Sequence, residues 1–389
     1  MKKVSLALVA QFATLLGLGV AASIINVAWP FIRDNFGRTD GDLGVLLLAL
    51  MFGYMGAAFL VGRLVDRYGV GLVLIAGGLI IIAGLLGWGY SPIWAALLLS
   101  VFLTGMGSGL LDTTANIYAA RHFSARLTNW LHASYGLGAV VGPLLTTAVI
   151  SWGRGWRLAY LMGALLQVVI WLLYLAVRQD VSMRGMTVEE RPENSIPLRS
   201  VLKSPLVWLG MFYFFMYGGL EHGAGQWSFP LFTEGRGVAL EPAGTWVSIY
   251  WGSLTVGRVV LGQVTAWLGS QRLLRLSHLL ALLGAILLSI PSIPVLGFAG
   301  LALIGFAVAP IFPTLIQLTP QRVGRKAAAT AVGFQVGVTS LGIALLPGLA
   351  GILIDRISLE VVGPFLIVVA LICLAVNERM SAQSAVELK

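Results

Sequence analysis

Long apolar segments separated by short polar ones follow one another along the whole chain. Twelve of them have about twenty or more mostly apolar residues, enough for a helix to cross the hydrocarbon core of a bilayer. They lie at approximately 5–31, 43–65, 70–90, 93–119, 129–150, 157–178, 206–232, 243–268, 271–290, 294–319, 327–354 and 358–379. Because the apolarity is continuous, helices are favoured over the alternating strands of a membrane β-barrel. The pattern predicts an all-α protein with twelve transmembrane helices.

The composition excludes the main classes of soluble protein. Of the 389 residues, 58% are hydrophobic and 11% are charged, against roughly 25% charged residues in a soluble domain. So few charges cannot cover the water-facing surfaces of a soluble enzyme. The single cysteine, Cys373, lies in an apolar segment, and the sequence has no phosphate-binding loop, metal-ligand spacing or nucleophile motif. We therefore predict no enzyme activity, no metal and no cofactor.

The basic residues lie mostly on one side of the predicted membrane. The formal net charge is +9, and of the 25 Lys and Arg residues 18 fall on the side of both termini and 6 on the opposite side. Such a bias over short loops marks the cytoplasmic side. We predict a protein of the cell membrane (inner or plasma) with both termini in the cytoplasm. The same bias explains the net charge without nucleic-acid binding.

The chain also has an internal repeat at half its length. A shift of 200 residues superposes Gly62–Gly69 on Gly262–Gly269 and Gly105 on Gly305. A repeat of this kind predicts two pseudo-symmetric six-helix bundles with a binding site between them near the membrane midplane. The predicted bundles are residues 1–178 and 206–389, joined by a polar cytoplasmic linker at 179–205. This is the plan of an alternating-access transporter.

A short loop motif lies between the second and third predicted helices. Its residues, Gly62-Arg63-Leu64-Val65-Asp66-Arg67-Tyr68-Gly69, fit the pattern G-x-x-x-D-R-x-G. With this motif, twelve spans and the repeat, the whole chain resembles the major facilitator superfamily. The resemblance implies a conformational latch in which loop charges pair with neighbouring helix ends. The predicted latch residues are Gly62, Arg63, Asp66, Arg67 and Arg258.

Three further stretches resemble the fucose/galactose–proton symporters and their sugar-transporting relatives. They are Gly105–Asn116 in the fourth helix, Asn129–Gly138 in the fifth and Tyr217–Trp227 in the seventh, followed by Gly257-Arg258 in the eighth. The resemblance implies a sugar substrate and proton symport. Those symporters carry an acid in the first helix, where this chain has Asn26 and no acid. Proton coupling, sodium coupling and facilitated diffusion therefore all stay open.

Charged residues inside the predicted spans are few, and each costs about 2.5–3.5 kcal/mol at a helix centre. Asp112 shares a helix face with Asn116, and its carboxylate can bond to sugar hydroxyls, take up a proton or serve a structural role. Glu221 has the same two functional roles, or else reaches the outer interface. Arg258 can pair with Glu221, pair with Asp112 or belong to the latch; its position four residues before Gly262 favours the latch.

Neutral polar and aromatic side chains complete the predicted site. Amides supply directed hydrogen bonds to hydroxyl groups, and an indole offers a flat face to the C–H face of a sugar ring. His132 can relay a proton or bond to substrate. Each of these groups can instead simply hold helices together. The predicted substrate-binding residues are Asn26, Asp112, Asn116, Asn129, His132, Glu221, Gln226, Trp227 and Gln335.

These features predict a monomeric secondary transporter of a small polar solute, a sugar or glycoside by the resemblance, coupled to protons through Asp112, Glu221 or both. One alternative is a proton-coupled exporter of amphipathic drugs or lipids, favoured if fixed partners hold both carboxylates. An uncoupled or sodium-coupled sugar carrier is another. A non-transporting membrane receptor would need a large extra cytoplasmic domain, and the longest polar stretch has fewer than thirty residues.

Overall fold

The computed structural model describes residues 2–177 and 198–387, and these residues are mostly helical. The helices are α1 (Lys2–Ser23), α2 (Ile25–Asn35), α3 (Asp42–Tyr68), α4 (Val70–Tyr90), α5 (Trp94–His122), α6 (Ala125–Ser151), α7 (Trp156–Val177), α8 (Leu198–Val201), α9 (Pro205–Pro230), α10 (Leu240–Leu268), α11 (Ser270–Leu288), α12 (Pro294–Val308), α13 (Ile311–Val323), α14 (Arg325–Arg356) and α15 (Val362–Glu387). A π-helical turn (Leu231–Gly235) extends α9, and a 3-10 turn (Leu359–Val361) precedes α15. These ranges contain no strand, so the predicted all-α class is confirmed.

Helices occur at all twelve predicted spans, and most of them are apolar enough to cross a membrane. Within the described residues, ten helical segments meet this requirement by length and composition. The other two spans are α9 and α10, with 26 and 29 residues, or about 39 and 44 Å at 1.5 Å per residue. They are less apolar because they carry polar side chains, among them Glu221, Gln226 and Arg258.

Two of the predicted spans are each divided into two helices. The first span breaks after Ser23, whose hydroxyl donates a hydrogen bond to the carbonyl oxygen of Gly19 at 2.8 Å. Such back-bonding bends helices. The tenth span breaks between α12 and α13 at Ala309 and Pro310. Proline has no N–H to continue the helix, and its ring clashes with the preceding turn.

The chain divides into two compact units with the same internal packing. Unit 1 comprises Met1–Arg38 and Val45–Glu190, and unit 2 comprises Thr39–Gly44 and Arg191–Lys389. In unit 1, α1 packs against α6 and α7, and α4 packs against α5 and α7. In unit 2, α9 packs against α14 and α15, and α11 packs against α12 and α15. These helix contacts of unit 1 therefore have counterparts between the corresponding helices of unit 2.

The predicted bundle bounds of 1–178 and 206–389 stay predictions. Most of the predicted linker at 179–205 lies outside the described residues, which resume with α8. The short segment Thr39–Gly44 groups with unit 2. There the Asp355 carboxylate accepts hydrogen bonds from the backbone N–H groups of Asp40 and Gly41 at 2.9 and 2.8 Å.

The 200-residue repeat extends to individual glycine contacts. A Cβ added at Gly105 would overlap the carbonyl oxygen of Leu50, and one added at Gly305 would overlap that of Tyr250. Both pairs are related by the same shift. Gly69 and Gly269, which precede α4 and α11, have φ angles of 83° and 74°, which other residues rarely adopt. The same steric requirements, close contact with a carbonyl oxygen and a positive φ angle, therefore account for these glycines in both units.

Candidate functional site

The carboxylate of Asp112 lies on α5 in unit 1 and is held by two neutral donors. The hydroxyl of Tyr54, on α3, donates to Oδ2 at 2.6 Å. The amide nitrogen of Asn116, one helical turn after Asp112, donates to Oδ1 at 3.2 Å. No lysine or arginine forms an ion pair with Asp112 within the described ranges. Among the residues that the structure describes, the group is therefore a half-buried carboxylate with hydrogen bonds but no counter-charge.

Tyr54 is the residue of this cluster that the sequence reasoning missed. It is separated from Asp112 by 58 positions, so no local spacing connects the two. The signal that could have found it was a hydroxyl-bearing side chain within the second predicted span. Since buried polar groups require partners, a tyrosine in such a span indicates that a partner lies on another helix.

The other predicted site residues of unit 1 differ in their burial. Asn26, on α2, is 4% exposed, and its amide nitrogen has no hydrogen-bond partner within the described structure. Asn129 and His132 are exposed near the start of α6. Of the three, Asn26 combines burial with an unused donor, the property expected of a group that binds water or substrate.

Two further buried amides occur in unit 1. Gln11 on α1 and Gln167 on α7 are fully enclosed, and neither amide oxygen nor nitrogen has a partner among the residues described. Gly17 leaves the space that the Gln167 amide occupies, because a Cβ there would lie 2.8 Å from its nitrogen. These side chains add unused hydrogen-bonding capacity to the interior of unit 1.

The carboxylate of Glu221 lies on α9 in unit 2 and has a charged neighbour. Glu221 is 5% exposed. A guanidinium nitrogen of Arg258, on α10, lies 3.7 Å from its Oε1 atom. The hydroxyl of Tyr217 donates to Oε2, and the hydroxyl of Tyr250 donates to the Glu221 backbone carbonyl. Of the three roles considered for Arg258, the structure shows the pairing with Glu221.

Aromatic side chains surround this ion pair. The Nδ1 atom of His222 lies 4.0 Å from Oε1 of Glu221, and the His222 ring meets the Trp251 ring edge-on with a centroid distance of 5.7 Å. The indole N–H of Trp251 has no hydrogen-bond partner among the described residues. The absence of a side chain at Gly225 allows the Tyr250 and Trp251 rings to lie close to α9, since a Cβ there would be 3.0 Å from each of them.

Two other predicted residues of unit 2 have partners in the helix packing. The indole N–H of Trp227 is fully buried and donates to the carbonyl oxygen of Pro347 at 3.0 Å. The side-chain oxygen of Gln335 accepts a hydrogen bond from Thr319 at 2.8 Å. Gln226 is also buried. The structure therefore places Trp227 and Gln335 where they join helices of unit 2.

The predicted latch motif forms the end of α3. Gly62 is half-buried, and Arg63, Asp66 and Arg67 are exposed. The guanidinium carbon of Arg67 lies 5.2 Å from the centre of the Tyr68 ring, within the range of a cation–π contact. The motif therefore presents its charges on the last turns of a helix, and the predicted loop is reduced to Gly69, because α3 continues to Tyr68. Its role as a latch stays a prediction.

Comparison with known proteins places these clusters in a family context. The sequence matches the Major Facilitator Superfamily model over residues 10–347. It is similar to the glucose/mannose transporter GlcP of Bacillus subtilis, with 24% identity over 298 residues that cover 74% of this chain and 73% of that protein.

Two solved structures have the same fold. A point mutant of the nucleoside transporter NupG superposes with a TM-score of 0.81 at 13% identity, over 97% of this chain and 99% of that chain. The major facilitator superfamily transporter FucP, in the outward conformation, superposes with a TM-score of 0.64 at 14% identity, over 96% and 98%. At these identities the likeness shows the fold alone.

The family match confirms the superfamily predicted from the loop motif and the repeat. It covers most of the chain and agrees with the helical fold and with both structural comparisons. The protein is accordingly a multi-pass membrane transporter and not an enzyme. The chain belongs to the major facilitator superfamily.

Proposed function

We propose that the protein is a secondary transporter of a sugar or glycoside and that Asp112 takes up the coupling proton. The observation that carries the proposal is the Asp112 carboxylate, which has two neutral hydrogen-bond donors, Tyr54 and Asn116. A carboxylate without a counter-charge breaks no ion pair when it is protonated. It can therefore alternate between charged and neutral forms as its surroundings lose water.

The side chains around both carboxylates suit a polyhydroxylated substrate. Carboxylates accept hydrogen bonds from hydroxyls, and amides both accept and donate them. The unused N–H donors of Trp251, which contacts His222, and of Asn26, which lies in unit 1, can also bond to hydroxyl oxygens. Aromatic faces such as that of Trp251 suit the apolar face of a sugar ring. The similarity to a glucose/mannose transporter supports the same substrate class.

Glu221 has a different proposed role because Arg258 lies beside it. Protonation of Glu221 would leave a guanidinium without its counter-charge inside the membrane, which is costly. We assign Glu221 to substrate binding and to the ordering of α9 and α10. Asn129, His132 and Gln226 are proposed as further contacts, whereas Trp227 and Gln335 support the site through helix packing.

The remaining predictions belong to the same proposal. The protein acts as a monomer in the cell membrane with both termini in the cytoplasm, as the distribution of basic residues indicates. The end of α3, with Gly62, Arg63, Asp66 and Arg67, acts as the conformational latch.

The test is uptake of labelled glucose and mannose into proteoliposomes with an imposed pH gradient, a sodium gradient or neither. Wild type is compared with Asp112→Asn, Glu221→Gln and the control Asp34→Asn, which changes an exposed acid at the end of α2. We expect the pH gradient to drive accumulation in wild type and in the control. Asp112→Asn should lose accumulation and keep exchange of internal for external sugar.

Each other outcome contradicts a defined part of the proposal. If neither sugar is bound, exchanged or accumulated, the substrate class is wrong. If uptake responds to neither gradient, the protein is a facilitated-diffusion carrier. If only the sodium gradient drives uptake, sodium and not the proton is the coupling ion. Extrusion of an amphipathic dye without any sugar transport would favour the exporter, for which the fixed Arg258 partner of Glu221 is the supporting observation.

A further inference from the structure

A groove on the surface of unit 2 lies apart from the Asp112 and Glu221 clusters. It has a volume of about 620 Å³ and is lined by Leu202, Lys203, Pro205, Trp208, Leu209, Phe212 and Arg379. These residues belong to the start of α9, the segment just before it and the last part of α15. The groove therefore lies at the end of unit 2 that the distribution of basic residues assigns to the cytoplasm.

The groove has a positively charged end. Lys203 and Arg379 are exposed, and neither has an ion-pair partner within the described part of the chain. The lining residues, all of them described, include no acid. Glu378, the neighbour of Arg379 in sequence, is paired with Arg275 at 2.8 Å. The two cations thus have no carboxylate of the groove to neutralise them.

The rest of the groove is an apolar wall on α9. Trp208 is 55% exposed and Phe212 is 44% exposed. The indole N–H of Trp208 donates to the carbonyl oxygen of Leu202 at 2.8 Å, which fixes the ring as part of the wall. Phe212 lies seven residues after Pro205, about 10 Å along the axis at 1.5 Å per residue. The wall therefore runs from the level of the charges into the span.

We propose that this groove binds an anionic phospholipid from the cytoplasmic leaflet. Its phosphate lies between Lys203 and Arg379, and one acyl chain follows Trp208 and Phe212. Tryptophan at the interface, basic residues at headgroup level and an apolar surface beyond them are the features that retain such a lipid. A small soluble anion would satisfy the charges and leave the aromatic wall uncovered.

The size of the effect follows from the charges. Each basic residue near an anionic membrane surface contributes to lipid binding by about a fivefold factor. Removal of both charges should therefore weaken binding roughly 25-fold. A zwitterionic lipid, which has no net charge, should be retained much less well than phosphatidylglycerol.

The experiment is native mass spectrometry of the purified full-length protein in mild detergent, titrated with phosphatidylglycerol or phosphatidylcholine. Wild type is compared with Lys203→Gln/Arg379→Gln and with Arg272→Gln, which removes an exposed charge of α11 outside the groove. We expect wild type and Arg272→Gln to retain one phosphatidylglycerol that the double variant loses. Thermal unfolding of each variant without added lipid checks that all are folded.

Three results would overturn the proposal. Equal retention of phosphatidylglycerol by wild type and the double variant would remove the role of the two cations. Equal retention of phosphatidylcholine by wild type would remove the selectivity for charge. In a separate arm, thermal unfolding of wild type is measured with phosphatidylglycerol and with glycerol 3-phosphate. If glycerol 3-phosphate raises the unfolding temperature as much as the lipid does, the ligand is a soluble phosphate compound.

Discussion

The carboxylates of Asp112 in unit 1 and Glu221 in unit 2 are both held by a tyrosine hydroxyl, but their other neighbours differ. Asp112 has the neutral amide of Asn116 as its second partner. Glu221 has the guanidinium of Arg258 within 3.7 Å. Shifted by 200 residues, Asp112 corresponds to Phe312 and Glu221 corresponds to Ala21. Neither acid therefore has an acidic counterpart in the other unit, although the helices around them are related by the repeat.

This difference separates two roles that the sequence had left combined. A buried ion pair resists the removal of either charge, so Glu221 suits a constant charge that orders its helix. A carboxylate with neutral donors can be protonated without leaving a cation unpaired, so Asp112 suits a variable charge. The proposed division of roles follows from the partners and not from the acids themselves.

The largest expected effect is that of Asp112→Asn on coupling. The amide can still accept the Tyr54 hydrogen bond, so the local structure should persist, but the group can no longer exchange a proton. We expect sugar accumulation under a pH gradient to fall on the order of tenfold or more. Proteoliposome uptake over a pH series measures this. A variant that still accumulates sugar in response to pH would reverse the assignment of roles.

Glu221→Gln should act mainly on stability. It leaves Arg258 without its carboxylate, and the loss should be about 2 kcal/mol, less than for a fully buried pair because the Arg258 side chain is 40% exposed. The double variant Glu221→Gln/Arg258→Gln should recover part of the loss. Thermal unfolding in detergent of wild type, of the single variants Glu221→Gln and Arg258→Gln and of the double variant completes the double-mutant cycle. Strictly additive single effects would show that the two charges do not interact.

Two glycine substitutions test what the units have in common. Gly105→Ala and Gly305→Ala each force a methyl group against a carbonyl oxygen, of Leu50 and Tyr250 respectively. Overpacking of this kind costs about 1–3 kcal/mol, and we expect similar values near the middle of that range in both units. Unfolding midpoints of the two variants provide the comparison. A loss in one unit only would show that the repeat does not extend to this contact.

The smallest effect is expected for Tyr54→Phe. It removes one hydrogen bond to the half-buried carboxylate of Asp112, a contribution of about 1 kcal/mol. Its loss should lower sugar accumulation under a pH gradient only modestly, with little change in maximal exchange, and proteoliposome uptake measures both. Tyr217→Phe, the matched change beside Glu221, should leave accumulation unchanged. Equal losses of accumulation in both variants would count against the distinction between the two acids.

Much of the fold was predictable because apolar length is a local property. Twelve segments were readable as spans, and the glycines of the repeat indicated two related bundles. The breaks after Ser23 and before Pro310 were less evident, since each depends on one residue within a continuous apolar run.

The candidate site was predictable only in part. Asp112, Asn116 and Glu221 were predicted as site residues because charged or amide side chains in hydrocarbon require partners, and this role stays a prediction. Tyr54 was missed, and Arg258 was favoured as a latch residue although it lies beside Glu221. Trp227 and Gln335 were selected by residue type, yet Pro347 and Thr319 are their partners.

Residue order along the chain was enough to establish a helical membrane transporter with two related halves and a small number of acids within its spans. Each of these properties can be read from one segment, or from two segments at a constant offset. Packing decided which acid has a cation beside it. Tyr54 and Asp112 lie on different helices, as do Glu221 and Arg258, and a contact between helices depends on their rotation and depth, which no local pattern records.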